Sequence, residues 1–144
     1  MIGFVLTGHG QFSVGLASAI SMVAGDVPAF QTVPFEEESA ATYGEALRDA
    51  ITTMRAETDG VLVFVDLLGG TPFNQAMMIA ADVPDVEVVT GANLPMVVEL
   101  VITRPGMDME QLIAAALQAG RDGITHQQLS ISVDEEDFDD EGGI

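Results

Sequence analysis

His9 stands between two glycines in Thr7-Gly8-His9-Gly10, and Asp66 is the first charge after the apolar run of residues 61–65. An imidazole beside a carboxylate is a chemically useful pair. The carboxylate accepts a hydrogen bond from one ring nitrogen, fixes the tautomer, and leaves the other nitrogen as a nucleophile. Gly69 and Gly70 follow Asp66 and allow a tight turn, and Thr71-Pro72 has the form of an N-cap followed by proline at the first helical position. Such a turn points unpaired backbone N–H groups and the positive end of a helix dipole at whatever lies above the strand, which favours an anion. Phosphoryl oxygens fit there, held by the amides of Gly69, Gly70 and Thr71 and by the Thr71 hydroxyl. A DxxGGTP segment alone would not carry this conclusion, because motifs of that length recur by chance. Its weight comes from having His9 as company.

The remaining chemistry-bearing residues point nowhere else. His126 lies among Gln127 and Gln128 with no carboxylate partner and reads as a surface residue. Two histidines without ligand-like spacing, in a chain without cysteine, build no closed metal site, and disulfides are excluded as well. There is no Gly-x-Ser-x-Gly elbow, no Walker A pattern and no dinucleotide-binding glycine pattern, so neither a serine hydrolase nor a nucleotide or other cofactor is expected.

Strands and helices must bring His9 and Asp66 together. Residues 2–6 form an apolar strand that delivers the His9 loop, and a helix over 11–24 follows with Phe12, Leu16, Ile20 and Val23 on one face. A second strand spans 30–35. Three glutamates then precede Ser39, a candidate N-cap for a helix that carries Tyr43, Leu47, Ile51 and Met54 at helical spacing. The unbroken Val61-Leu62-Val63-Phe64-Val65 run is a strand covered on both faces. The helix from Pro72 turns Phe73, Ala76, Met77, Ala80 and Ala81 inward; Met77, Met96 and Met109 read as core filler. Residues 86–89 form a fourth strand, Asn93-Leu94-Pro95 opens a fourth helix, and Asp108 with Gln111 resembles a capping box for a fifth that runs to about Gly120. Residues 129–133 alternate Leu, Ser, Ile, Ser, Val, as a half-exposed edge or antiparallel strand does.

Alternating strands and helices predict an α/β fold with a mainly parallel sheet. In a flavodoxin-like order 2-1-3-4-5, ligands bind where the strand order reverses, between strands one and three at their carboxyl ends. His9 ends strand one and Asp66 ends strand three. The pair is thus predicted to meet across that crevice.

Composition narrows the partners. The chain has 144 residues, 23 acids and four arginines, with no lysine and a net charge of −19. Nucleic acids and anionic lipid surfaces are excluded as targets, and a basic protein partner fits. Apolar runs are too short to span a bilayer, and no basic leader precedes the first strand, so a soluble cytoplasmic protein is expected. Seven acids lie within residues 134–144, which read as a disordered solubilising tail behind one domain at 1–133.

The segments LTGHG (6–10), FVDLLGGTPFNQA (64–76), TGANLPMVVE (90–99) and AGRDG (119–123) together resemble the IIA component of the mannose/fructose/sorbose-family sugar phosphotransferase system, over essentially residues 1–133. That resemblance implies a phosphohistidine carrier. His9 would accept a phosphoryl group from the phosphocarrier protein HPr and pass it to a histidine of a IIB protein, with IIC and IID as the membrane partners. Asp66 would bind Nδ1 and leave Nε2 as the nucleophile, and Thr71 would contact the phosphoryl group. The family further implies a homodimer in which the last strand, antiparallel, is exchanged. Three departures stand out. Gly8 replaces a threonine of well-known members, which is expected to loosen the loop; Leu67-Leu68 replaces a more polar or aromatic pair; and no linker to a IIB domain follows residue 133, as in a free-standing IIA. Two alternatives remain. One is the phosphoryl-donor subunit of a dihydroxyacetone kinase, whose glycine-serine motif differs from LLGGTPFN; the other is a non-catalytic regulatory binding module.

Overall fold

The computed structural model describes residues 1–130. One sheet holds four parallel strands in the order β2-β1-β3-β4, with β1 Ile2–His9, β2 Phe30–Phe35, β3 Gly60–Val65 and β4 Val86–Val89. Helix α1 (Phe12–Ala24) connects β1 to β2, and α2 (Ala40–Glu57), entered through a 3-10 turn at Glu37–Ser39, connects β2 to β3. Helix α3 (Gly70–Asp82) connects β3 to β4, after which α4 (Leu94–Thr103) and α5 (Met109–Asp122) complete the order.

Side chains alternate across the sheet, so each central strand feeds two cores. Phe4, Leu6, Leu62 and Phe64 pack with Ile20, Val97, Leu100 and Leu112 of α1, α4 and α5. Val5, Val61, Val63 and Val65 face the other way, onto Tyr43, Leu47 and Ile51 of α2 and Ile79 of α3. Every residue of β3 is buried, and β1 is buried up to His9. That explains the continuous apolar runs, since a parallel strand between two helical layers has no solvent face.

The amino-terminal end of the sheet is tied by Arg104, which follows α4 and is buried. Its guanidinium donates to the carbonyls of Pro28 at 2.6 Å, Ala29 at 3.2 Å and Ile2 at 3.3 Å, and lies 4.6 Å from the Phe4 ring centroid. Burial lowers its pKa from the usual arginine range.

Several expectations need correction. The sheet has four strands among the described residues, not five. Leu129 and Ser130 carry no regular structure, and residues 131–133 of the expected last strand, with its antiparallel pairing and exchange, lie outside the described residues, as does the 134–144 tail. Strand β1 extends to His9 because its ladder with β2 continues through the pair His9–Phe35. Helix α3 begins at Gly70 with Gly69 in the flanking position, so Thr71 is not the N-cap. Ser39 does flank α2, but its side chain makes no capping bond. Val23, Met77 and Ala81 face solvent rather than the core. Both expected caps further on are present: Asn93 Oδ1 accepts the Met96 N–H at 3.0 Å, and Asp108 and Gln111 form the reciprocal box at 2.9 and 3.0 Å. No helix among the described residues is long and apolar enough to cross a membrane.

Candidate functional site

His9 and Asp66, 57 residues apart, meet at the carboxyl end of the sheet between neighbouring β1 and β3. The Asp66 carboxylate has three N–H groups on it. Oδ2 accepts the His9 backbone N–H at 2.9 Å and lies 3.0 Å from His9 Nδ1, while Oδ1 accepts the Leu67 N–H at 2.8 Å. A carboxylate offers only acceptors, so Nδ1 carries the ring proton and Nε2 keeps its lone pair. The imidazole is the exposed partner, at 45% side-chain accessibility against 12% for Asp66. A nucleophilic nitrogen thus faces solvent, while the group that orients it is set into the wall.

Nε2 looks toward the start of α3. A Cβ built on Gly70 would lie 3.2 Å from His9 Cε1 and 3.3 Å from Nε2, and Gly70 holds φ at +86°. Glycine is therefore required on two counts: a positive φ and close approach of backbone to ring. Gly69, at φ +93°, makes the turn that precedes it. Thr71 occupies the second helical position and is exposed. The first turn of α3 has N–H groups without helical partners, and its dipole end is positive, so the space in front of Nε2 suits a phosphoryl-sized anion. Of the expected site residues, His9, Asp66 and Gly70 are brought together; Gly69 and Thr71 flank them. His126 is exposed beyond α5, away from any such group.

Gly8 does not loosen the loop as expected. It is buried, and a Cβ there would come within 2.7 Å of Asp66 Cγ and 2.8 Å of Phe12 Cδ1. The missing side chain leaves that space to the Asp66 carboxylate and the Phe12 ring.

Two aromatic residues were not anticipated at the site. The Phe35 ring meets the His9 ring edge to face, with centroids 5.8 Å apart at 77°, and the Phe35 carbonyl accepts the Gly10 N–H at 2.7 Å. Behind it Tyr43 packs at 4.8 Å. The Thr7 hydroxyl donates to the Val33 carbonyl at 2.6 Å, which leaves the Tyr43 phenol to donate to Thr7 Oγ1 at 2.6 Å. Burial pushes the Tyr43 phenol up to about 12; its bond to Thr7 opposes the rise and the Asp66 charge adds to it. No local sequence signal marks these contacts, since they join β1, β2 and α2.

A shallow cleft runs from His9 past Gln11 and Phe35 to Glu36, Glu37 and Glu38, with Gln11 Nε2 donating to Glu36 Oε1 at 2.7 Å. Leu67 and Leu68 stand out into solvent on the β3 side, at 57% and 78% accessibility. The mouth of the site thus combines acidic and apolar surface. A larger cleft lies at the opposite end of the sheet, between Met1, Asp59, Asp85 and Arg104. Several of its charged groups are already engaged: the Met1 ammonium with Asp59, Asp85 with Arg55, Arg104 with backbone carbonyls and Asp108 with the start of α5, while Glu87 also lines it.

A family described as "PTS system fructose IIA component" (EIIA-man) matches residues 3–117. The chain is 31% identical over 114 residues to the PTS system fructose-specific EIIA component of Bacillus subtilis, covering 78% of this chain and 77% of that protein. It is 34% identical over 127 residues to the PTS system mannose-specific EIIAB component of Escherichia coli, covering 85% of this chain but only 38% of that longer protein. Among solved structures, the phosphotransferase system component EIIA from Streptococcus agalactiae superposes with a TM-score of 0.78 at 27% identity, covering 88% of this chain and 97% of that one.

Proposed function

The chain belongs to the mannose-type EIIA family of sugar phosphotransferase components, and from that premise we propose that it is a phosphohistidine carrier. His9 takes a phosphoryl group from phospho-HPr and passes it to a histidine of a IIB protein, which serves sugar uptake through IIC and IID membrane components. The observation that carries this reading is the contact of Nδ1 with Asp66 at 3.0 Å, with Nε2 left free beside the Gly70 backbone.

The lone pair of Nε2 attacks phosphorus, a nitrogen–phosphorus bond forms, and the bond from phosphorus to the donor breaks. The imidazole then has phosphorus on Nε2 and a proton on Nδ1, so its ring becomes cationic; the Asp66 carboxylate offsets that charge. Gly69, Gly70 and Thr71 hold the phosphoryl oxygens through backbone N–H groups and the Thr71 hydroxyl. Transfer to IIB reverses these steps on a new nucleophile. Such exchange is driven by positioning and charge stabilisation rather than by a strong acid or base. The acidic and apolar mouth around His9 suits a basic partner surface, whose attraction acts mainly on the rate of encounter. Family membership supports reading the carrier as a cytoplasmic homodimer with residues 1–133 as its working domain.

The test is a reconstituted relay from phosphoenolpyruvate through enzyme I and HPr with labelled phosphate. Acid-labile, alkali-stable label is expected on the chain and absent from His9→Ala. Asp66→Asn, which removes the negative charge and sets an amide NH2 against at least one of the N–H groups that the carboxylate accepts, is expected to slow labelling on the order of a hundredfold. Wild-type protein left unlabelled beside an active HPr defeats the carrier reading, and a His9→Ala variant that labels normally defeats the assignment of the residue.

A further inference from the structure

We propose that Phe35 is a positioning residue for His9: backed by Tyr43, its ring sets the direction in which the imidazole presents Nε2. The inference rests on the carrier reading of His9. Asp66 alone does not hold that direction, because one hydrogen bond at Nδ1 lets a half-exposed ring swing off the carboxylate and back, with tautomer and direction both released while it is off, and the terminal torsion of histidine is intrinsically broad. A reactive nitrogen held from one side only is poorly aimed, and small misplacements are costly in rate.

Phe35 supplies the second side. Its ring meets the imidazole at 77° with centroids 5.8 Å apart, an edge-to-face arrangement that has an angular preference an aliphatic side chain lacks. The ring is itself held. Tyr43 packs against it at 4.8 Å, is buried to 2% accessibility, and anchors its hydroxyl on Thr7, which in turn donates to Val33. Thr7 pairs with Val33 and His9 pairs with Phe35 in the β1–β2 ladder, so the anchor and the aimed residue sit two positions apart on the same strands and the same face. The circuit closes from His9 through Phe35, Tyr43 and Thr7 back along β1. The backbone bond from the Gly10 N–H to the Phe35 carbonyl does not depend on the Phe35 side chain, so loop and ring effects are separable by substitution.

The experiment compares wild type, Phe35→Leu, Phe35→Tyr and Tyr43→Phe in two readouts, with thermal melting alongside. Long-range proton–nitrogen NMR of the unphosphorylated chain reads the His9 tautomer, and transfer from phospho-HPr reads rate against donor concentration. For Phe35→Leu, the single Nδ1–H tautomer is expected to give way to a mixture, and the rate at saturating donor to fall about tenfold with the half-saturating donor concentration unchanged. Phe35→Tyr restores both. Tyr43→Phe, which removes only the hydroxyl, shifts both readouts in the Leu direction by a smaller factor and decides the matter if Phe35→Leu melts far below wild type. Phe35→Leu with a wild-type tautomer and rate overturns the inference, as does a Phe35→Tyr no better than Leu. The tautomer readout needs no donor, so it still decides the role of Phe35 if wild-type protein takes no label, the outcome that instead defeats the carrier reading.

Discussion

At the scale of single residues, the site depends as much on side chains that are missing as on those present. Gly8 leaves room for the Asp66 carboxylate, and Gly70 leaves room in front of Nε2. Gly70→Ala is the sharper test, because a methyl would stand 3.3 Å from the nucleophilic nitrogen on a backbone held at φ +86°. Labelling of His9 is expected to slow on the order of a hundredfold, with a loss of about 1 kcal/mol in stability from the left-handed backbone. Initial labelling rates and urea unfolding measure the two separately; a variant that labels at the wild-type rate would remove the Gly70 amide from the site. His9, Asp66 and the glycine pair were legible in the sequence because a short motif holds each one at a strand end. Phe35 and Tyr43 were not, since an aromatic at the end of β2 and one in the first turn of α2 look like ordinary core until β1 and β2 are paired. Gly8 was misjudged for the same reason: its crowding comes from Asp66 and Phe12, neither of which it touches along the chain.

At the scale of elements, hydrophobic runs located the four strands of the sheet, and their ends were set by something else. The apolar run of β1 stops at Leu6, yet pairing with Phe30–Phe35 carries the strand on to His9. Helix α3 starts one residue before Thr71 because two glycines at positive φ complete the turn without a side-chain cap. Exposure of Met77 follows from α3 being covered along only a narrow stripe, through Pro72, Ala76 and Ile79. Arg104 was invisible to pattern reading: a lone arginine after a helix suggests a surface charge, whereas here it gathers three carbonyls from the starts of β1 and β2. Arg104→Met is expected to lower stability by about 3 kcal/mol, because three carbonyls lose a charged donor and part of that loss is unrecovered desolvation. Urea unfolding measures it. His9 lies at the other end of the sheet, so on the carrier reading the folded fraction should still label there at the wild-type rate.

For the whole molecule, the fold acts as a holder that brings two distant sequence positions into one imidazole–carboxylate pair. Two helical layers bury β3 completely and β1 up to its last residue, which fixes the strand ends where His9 and Asp66 stand. Of the charge of −19, residues 1–133 carry sixteen acids against four arginines, and Glu36, Glu37 and Glu38 bring part of that excess to the edge of the site. Such a surface attracts a cationic donor without contributing a catalytic group of its own. What the arrangement demands is specific to one atom. Asp66 occupies Nδ1, so the carrier reading requires the phosphoryl group on Nε2. The decisive measurement is a long-range proton–nitrogen NMR spectrum of the chain, labelled with nitrogen-15 and phosphorylated through HPr, with phosphorus coupling read at each ring nitrogen of His9. Phosphorus on Nε2 with a proton retained on Nδ1 is the predicted result. Phosphorus on Nδ1, or on any residue other than His9, would contradict the account.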